Sequence, residues 1–172
     1  MAFEGGDLPQ VVGRPEPFAD FYRREFPKMV ALACAVSGTR VGADDIAQDA
    51  LIEAERRWDR VGAYDKPGAW LRRITIQRAG RRRRRALLEA AAITRLAGEA
   101  RIPAGPDHVE EVFDAISRLP LRQRAAVALH YLDGYSVAEV AAVMECAEGT
   151  AKAHLHKARA ALARMLGEEV DS

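Results

Sequence analysis

Apolar residues settle into a helical rhythm just past Pro17. Phe18, Phe21, Tyr22, Phe26, Met29, Val30, Ala33 and Cys34 recur at helical spacing, and the pattern breaks at Ser37-Gly38. Pro27 lies inside this stretch and predicts a kink or a restart, because proline removes a backbone donor. A second helix is predicted from Ala43 to about Trp58. Ile46, Ala50, Leu51, Ala54 and Trp58 form its inward stripe, while Asp45, Gln48, Asp49, Ile52, Glu53 and Arg56 face outward. Asp44 and Asp45 in its first turn suit the positive end of the helix dipole. Gly62 to Gly68 reads as a loop. Ala69 then opens a third helix through Trp70, Leu71, Ile74 and Ile76, which ends in the arginine run Arg81 to Arg85.

The rhythm is lost from Leu87 to Asp107, and Ile102 to Asp107 (IPAGPD) is a breaker. It resumes with Val109, Val112, Phe113, Ile116 and Leu119, ending at Pro120. Leu121 to Leu132 forms another helix, closed by Asp133-Gly134. Ser136 with Glu139 is a capping box, in which hydroxyl and carboxylate each satisfy an orphan backbone donor. Val137, Val140, Ala141 and Met144 point inward from the helix that follows. A last, long helix starts near Glu148 and packs through Leu155, Ala158, Leu162 and Met165. The expected fold is all-α: two small helical domains joined by a flexible linker, the C-terminal one a helix-turn-helix. The boundaries are a tail at 1–16, a first domain at 17–86, a linker at 87–108 and a second domain at 109–168.

Composition supports helices over sheets, since aromatics are only 6% of the 172 residues and alanine is abundant. The formal net charge of +1 conceals a segregation that matters more. Asp44, Asp45, Asp49, Glu53 and Glu55 cluster in one segment, whereas Trp70 to Arg85 carries eight arginines and no acid. Local field, not net charge, steers a polyanion. Cys34 and Cys146 sit among alanines and valines and read as reduced, buried thiols. Met1 to Pro17 has no apolar core of a signal peptide, and no apolar run approaches the ~20 residues that span a bilayer. The expectation is a cytoplasmic protein without membrane insertion.

The candidate chemistry is recognition rather than catalysis. A helix entering the major groove needs a small polar N-terminal end and cations for phosphates. Glu148-Gly149-Thr150 supplies the first; Lys152, His154, His156, Lys157 and Arg159 supply the second. In the first domain, Trp70 beside a cationic helix can stack on unpaired bases while Arg72, Arg73, Arg78 and Arg81 to Arg85 hold the backbone. The acidic face at Asp45, Gln48, Asp49 and Glu53 repels DNA and points to a protein partner. His108, His130, His154 and His156 share no metal-ligand spacing with the cysteines, and there is no glycine-rich phosphate loop or nucleophile elbow. No enzymatic activity, cofactor or metal is expected.

At Val41–Trp58 (VGADDIAQDALIEAERRW), and again at Lys66–Ile74 (KPGAWLRRI) with its arginine tail, the chain resembles region two of bacterial extracytoplasmic-function (ECF) sigma factors. Ile116–Leu162 (ISRLPLRQRAAVALHYLDGYSVAEVAAVMECAEGTAKAHLHKARAAL) resembles region four of the same family. The resemblance spans roughly Phe18 to Leu166. It implies that Asp45, Ile46, Gln48, Asp49, Leu51 and Ile52 grip the clamp helices of core RNA polymerase. It implies that Trp70, Arg72, Arg73, Gln77, Arg78, Arg81 and Arg82 melt and read promoter DNA at the minus-ten element. Gly149, Thr150, Lys152, Ala153, His156 and Lys157 would contact the minus-35 element. An anti-sigma antagonist is implied as a further partner. The chain departs from the family pattern at Thr75-Ile76-Gln77, where Ala-Arg-Asn is usual. It departs again at Ala151, His154 and His156 on the recognition helix, which bears on the promoter sequence read. A stand-alone helix-turn-helix regulator and a protein-interaction module with merely solubilising basic faces are the competing readings.

Overall fold

The computed structural model describes residues 15–94 and 108–167, and every regular element among them is helical. Helix α1 (Phe18–Ser37) buries Phe21, Met29, Leu32, Ala33 and Val36 along one face. It ends where Gly38 turns left-handed (φ 75°) and donates its N–H to the Cys34 carbonyl. The helix runs unbroken through Pro27 rather than restarting there. Pro27 sits on the exposed side, where water can satisfy the carbonyl that its missing N–H leaves open.

Helix α2 (Ala43–Arg56) turns Ala43, Ile46, Ala47, Ala50, Leu51 and Ala54 inward, so four alanines let it lie close against α1. It stops short of Trp58, which instead opens the single turn α3 (Trp58–Val61). There the Trp58 ring meets those of Phe18 and Phe21 at centroid distances of 5.2 and 4.7 Å, and its Nε1 donates to the Glu16 carbonyl.

Helix α4 (Pro67–Thr94) closes the first domain over Leu71, Thr75 and Ala79, all fully buried. The Thr75 hydroxyl bonds the Leu71 carbonyl at 2.9 Å, which satisfies it inside the core. The helix does not end at the arginine run. It carries on to Thr94, into the segment read as linker, with Leu87, Leu88 and Ile93 exposed. Residues 86–93 are rich in alanine and leucine, strong helix formers that need no packing face to extend an existing helix. The rest of the expected linker and most of the expected tail lie outside the described residues.

The second domain begins with α5 (His108–Ser117), on which Val109 is exposed rather than part of the inward stripe. Helix α6 (Leu121–Val127) widens at its end into a π-helical turn, Ala128–Leu132. The Asp133 N–H reaches back to the Ala128 carbonyl, and the Tyr135 N–H to Leu129. The capping box opens α7 (Val137–Met144) as expected: Glu139 N–H donates to Ser136 Oγ at 3.2 Å, and Ser136 N–H to Glu139 Oε2 at 2.8 Å. Glu145 turns left-handed (φ 53°) without being glycine, and α8 (Glu148–Gly167) follows, held by Ala151, Leu155 and Ala158.

The two domains are docked, not merely tethered, and their buried residues form one core. Helix α1 packs on α6 and the π turn, and α4 packs on α7. Arg124 is buried in the junction, donating to the Val36 carbonyl at 3.0 Å and to Leu119 within its own domain. Burial, with help from the nearby Arg83 cation, lowers its pKa to about 10, so it is still charged at neutral pH. Arg83 bridges the carbonyls of Ser37 and Ser117, and Arg40 pairs with Glu110. Gly80 abuts Leu121 so closely that a Cβ would lie 3.1 Å from Leu121 Cδ2. Both cysteines are half-buried rather than buried.

Phe21→Ala should lower stability by about 3–5 kcal/mol, read from urea unfolding, because it empties the centre of the ring cluster. A second expectation concerns pH. The Ser136 backbone N–H first, then Lys66, holds the Glu139 carboxyl below its ordinary 4.5. An acid with a depressed folded pKa contributes stability that is complete above its unfolded value and lost as pH falls through the folded one. Thermal melts of Glu139→Gln should therefore vary less between pH 6 and about 3 than those of the parent.

Candidate nucleic-acid interface

Three surfaces carry the residues singled out above. On α2, Asp45, Gln48, Asp49 and Ile52 are exposed along one face. Ile46 and Leu51, expected in the same contact set, are 5% and 0% exposed and belong to the core. Helical periodicity explains the correction: they fall with Ala43, Ala47, Ala50 and Ala54 on the buried stripe of α2. Glu53 is half-buried and bonds Arg78 at 2.6 Å and Arg57 at 3.4 Å. These residues, with Asp49, Ile52 and Arg56, line a shallow open groove. Arg78, expected among the cations that meet DNA, is thereby paired with the acidic face.

The second surface is the first half of α4, and here packing changes the picture most. Trp70 is half-buried; Gln77, Arg81 and Arg82 are exposed, with Arg82 reaching the Gly42 carbonyl. Arg72, expected on DNA, is only 3% exposed. Its Nε donates to Asp133 Oδ2 at 2.7 Å, and its Nη1 to Glu25 Oε2 at 2.9 Å and the Gly68 carbonyl at 3.0 Å. The Tyr135 ring lies against the guanidinium, 4.8 Å from centroid to Cζ. Burial disfavours the charge, but the Asp133 bond and the surrounding acids outweigh it and raise the Arg72 pKa. Arg73 reaches the C-terminal end of α7, donating to the carbonyls of Val143 and Ala142 and pairing with Glu145 at 3.0 Å. Lys66 pairs with Glu139 across the same junction.

The third surface is α8. Gly149, Thr150, Lys152, Ala153, His156 and Lys157 are all exposed, while Ala151, Leu155 and Ala158 hold the opposite side to the core. His154 is half-buried; desolvation first, then the Arg122 and Lys157 charges, lowers its pKa. Arg122 caps the first helix of the motif through the Met144 carbonyl at 2.8 Å, fixing the turn from which α8 projects. Arg159 donates to the Tyr131 hydroxyl and lies over its ring. Sequence reasoning missed Glu25, Asp133, Tyr135 and Glu145, the partners of Arg72 and Arg73. Among the described residues no cluster of three His, Cys, Asp or Glu side chains could hold a metal, and no helix is long and apolar enough to cross a membrane.

The surfaces coincide with known modules. Residues 21–87 match the sigma-70 region 2 family, and residues 110–162 match sigma-70 region 4. Over 158 residues, covering 91% of this chain and 81% of its relative, the sequence is 35% identical to the ECF RNA polymerase sigma factor SigM of Mycobacterium tuberculosis. It is 32% identical to the ECF sigma factor EcfG of Rhodopseudomonas palustris, covering 81% of this chain and 80% of that one. The fold superposes on the sigma factor RpoE of Bartonella quintana, solved with the anti-sigma factor NepR, with a TM-score of 0.69 at 28% identity, over 87% of this chain and 96% of that one. The chain belongs to the ECF family of RNA polymerase sigma factors. Its function is that of the family: it binds RNA polymerase and gives it promoter specificity, and the stand-alone regulator is not favoured.

The opposite faces of α2 should separate in mutagenesis. Asp49→Ala should change stability by no more than about 0.5 kcal/mol, whereas Leu51→Ala should cost about 2–5 kcal/mol. Urea midpoints of the two variants check this.

Proposed function

We propose that this sigma factor divides its work among the three surfaces. The exposed α2 face at Asp45, Gln48, Asp49 and Ile52 binds core RNA polymerase, its acids complementing a basic partner surface and its isoleucine adding a small apolar contact. The region 2 domain spans 17–86 and the region 4 domain 109–168. Within region 2, Trp70, Gln77, Arg81 and Arg82, with Arg72 and Arg73 once released, engage the minus-ten strand as it opens. Stacking on Trp70 offers about 1–3 kcal/mol for a base taken out of the duplex. Within region 4, Gly149 and Thr150 let the start of α8 approach base edges of the minus-35 element, and Lys152, His156 and Lys157 hold its phosphates.

One observation carries this reading. The same chain exposes an acid-rich helix face and, on another domain, a helix whose exposed side is cationic and acid-free beyond Glu148. A regulator acting alone on DNA has no use for the first. The chain itself performs no catalysis; the polymerase makes the phosphodiester bonds, and the site of action is the cytoplasm. RpoE of B. quintana was solved with an anti-sigma factor bound, which supports a protein antagonist for this chain as well.

Asp49→Arg should weaken core binding by about tenfold or more, equivalent to about 1.4 kcal/mol or more, while leaving the circular dichroism spectrum unchanged. Unaltered pull-down of core polymerase by this variant would remove α2 from the interface. Replacing Lys152 and Lys157 by alanine should weaken promoter binding by the holoenzyme and lower its log-log salt slope by about 1 per lysine. A slope that does not change would mean that these lysines face solvent.

A further inference from the structure

The outer face of α2 is not acidic along its whole length. Asp45, Asp49, Ile52 and Arg56 follow one another at spacings of four, three and four residues, so they share one stripe of the helix. Acids hold its first half. At its other end Arg56 and Arg57 are exposed, and α4 adds Arg78 from across the shallow groove. Glu53 pairs with two of these cations, Arg78 at 2.6 Å and Arg57 at 3.4 Å, so one carboxylate stands among three arginines. Arg78 also differs from the arginines that serve the fold. Arg72 and Arg124 both use Nε and Nη1 in hydrogen bonds. Among the described residues, Arg78 donates from Nη2 to Glu53, while its Nε is buried without an acceptor. A donor left in that way is a cost that a purely structural arginine avoids. Its side chain is nonetheless 35% exposed, at the wall of the groove.

We infer that Arg78 contacts core polymerase, and that with Arg56 and Arg57 it makes the α2 groove bipolar. The segment of polymerase that lies there sets a cation against Asp45 and Asp49 and a carboxylate against the three arginines. The inference rests on the assignment of the α2 face to core polymerase made above. Seven residues separate Asp49 from Arg56, about 10 Å along the helix axis, so the partner segment carries its own cation and acid about that far apart. Ile52 lies between the two charge centres and supplies the apolar contact. A groove with one sign at each end accepts such a segment in one direction, because the reversed segment brings like charges together at both ends. A uniformly acidic face would fix neither direction nor register. Glu53 acts here as a positioning residue, since its bond commits the Arg78 guanidinium to the groove while leaving that end cationic.

The test measures the affinity of full-length single variants for core polymerase, then the salt slope of promoter binding by holoenzyme formed at saturating core. Arg78→Gln should weaken core binding about tenfold and leave the promoter salt slope as in the parent. Glu53→Gln should tighten core binding about threefold, because loss of the carboxylate frees Arg78 and Arg57 for the partner's acid. Core binding by Glu53→Gln that is no tighter than the parent's overturns the inference, since a pair that only braces α2 against α4 gains nothing when it is broken. Unchanged core binding by Arg78→Gln overturns it as well. If the promoter salt slope then falls by about 0.7 to 0.9, Arg78 meets a phosphate instead. Asp49→Arg is carried through the same assay. Weakened core binding by Asp49→Arg but not by Arg78→Gln removes the bipolar groove and leaves α2 on the polymerase; no effect in either variant removes the α2 assignment itself. Should Arg78→Gln fail to fold by circular dichroism, Arg57→Gln replaces it with the same expected loss of core binding, its side chain being exposed.

Discussion

A single guanidinium, that of Arg72, ties this molecule together. It is held between Glu25 on α1 and Asp133 beyond the π turn, so one buried cation joins region 2 to region 4. A buried charge is tolerated only when its partners are close and its donors are used, and removing one partner of such a set is typically far costlier than the set is worth. Arg72 meets that condition through two carboxylates, a carbonyl and an aromatic face. Its neighbours follow the same logic. Arg73, Arg83 and Arg124 each reach backbone carbonyls of the other domain, so the junction is a set of arginine-to-carbonyl contacts around a small apolar seam.

That arrangement gives the arginines of this chain two distinct occupations. Some face solvent and suit a polyanion, as Arg81 and Arg82 do. Others satisfy helix ends: Arg122 and Arg73 both serve the C-terminus of α7, the first helix of the helix-turn-helix. The turn between α7 and α8, with Glu145 in a left-handed conformation, is therefore supported from both domains. Its geometry sets the direction of α8 and hence where Lys152 and Lys157 stand on the surface.

Much of the fold was legible because local rules agreed with tertiary demands. The stripes at Phe21–Val36 and Ile46–Ala54 and the capping box at Ser136 and Glu139 all depend on neighbours a few residues away. The misreadings have different origins. The α4 helix outlasts its hydrophobic pattern because propensity alone sustains it past the arginine run. Pro27 leaves α1 intact because it faces water. Ile46 and Leu51 carry the family motif, yet the period of the helix puts them on its buried stripe.

Periodicity, capping and charge segregation were enough to establish an all-helical chain with a helix-turn-helix, an acidic face and a cationic segment, since each is a property of residues close in sequence. Whether a given arginine meets DNA or protein is another matter. Within Trp70 to Arg85 the arginines look alike as text, and what separates Arg72 from Arg81 is Asp133, which lies 61 residues further along the chain. Packing decides that pairing, because desolvating a cation is acceptable only where the fold delivers its counter-charges to the same place.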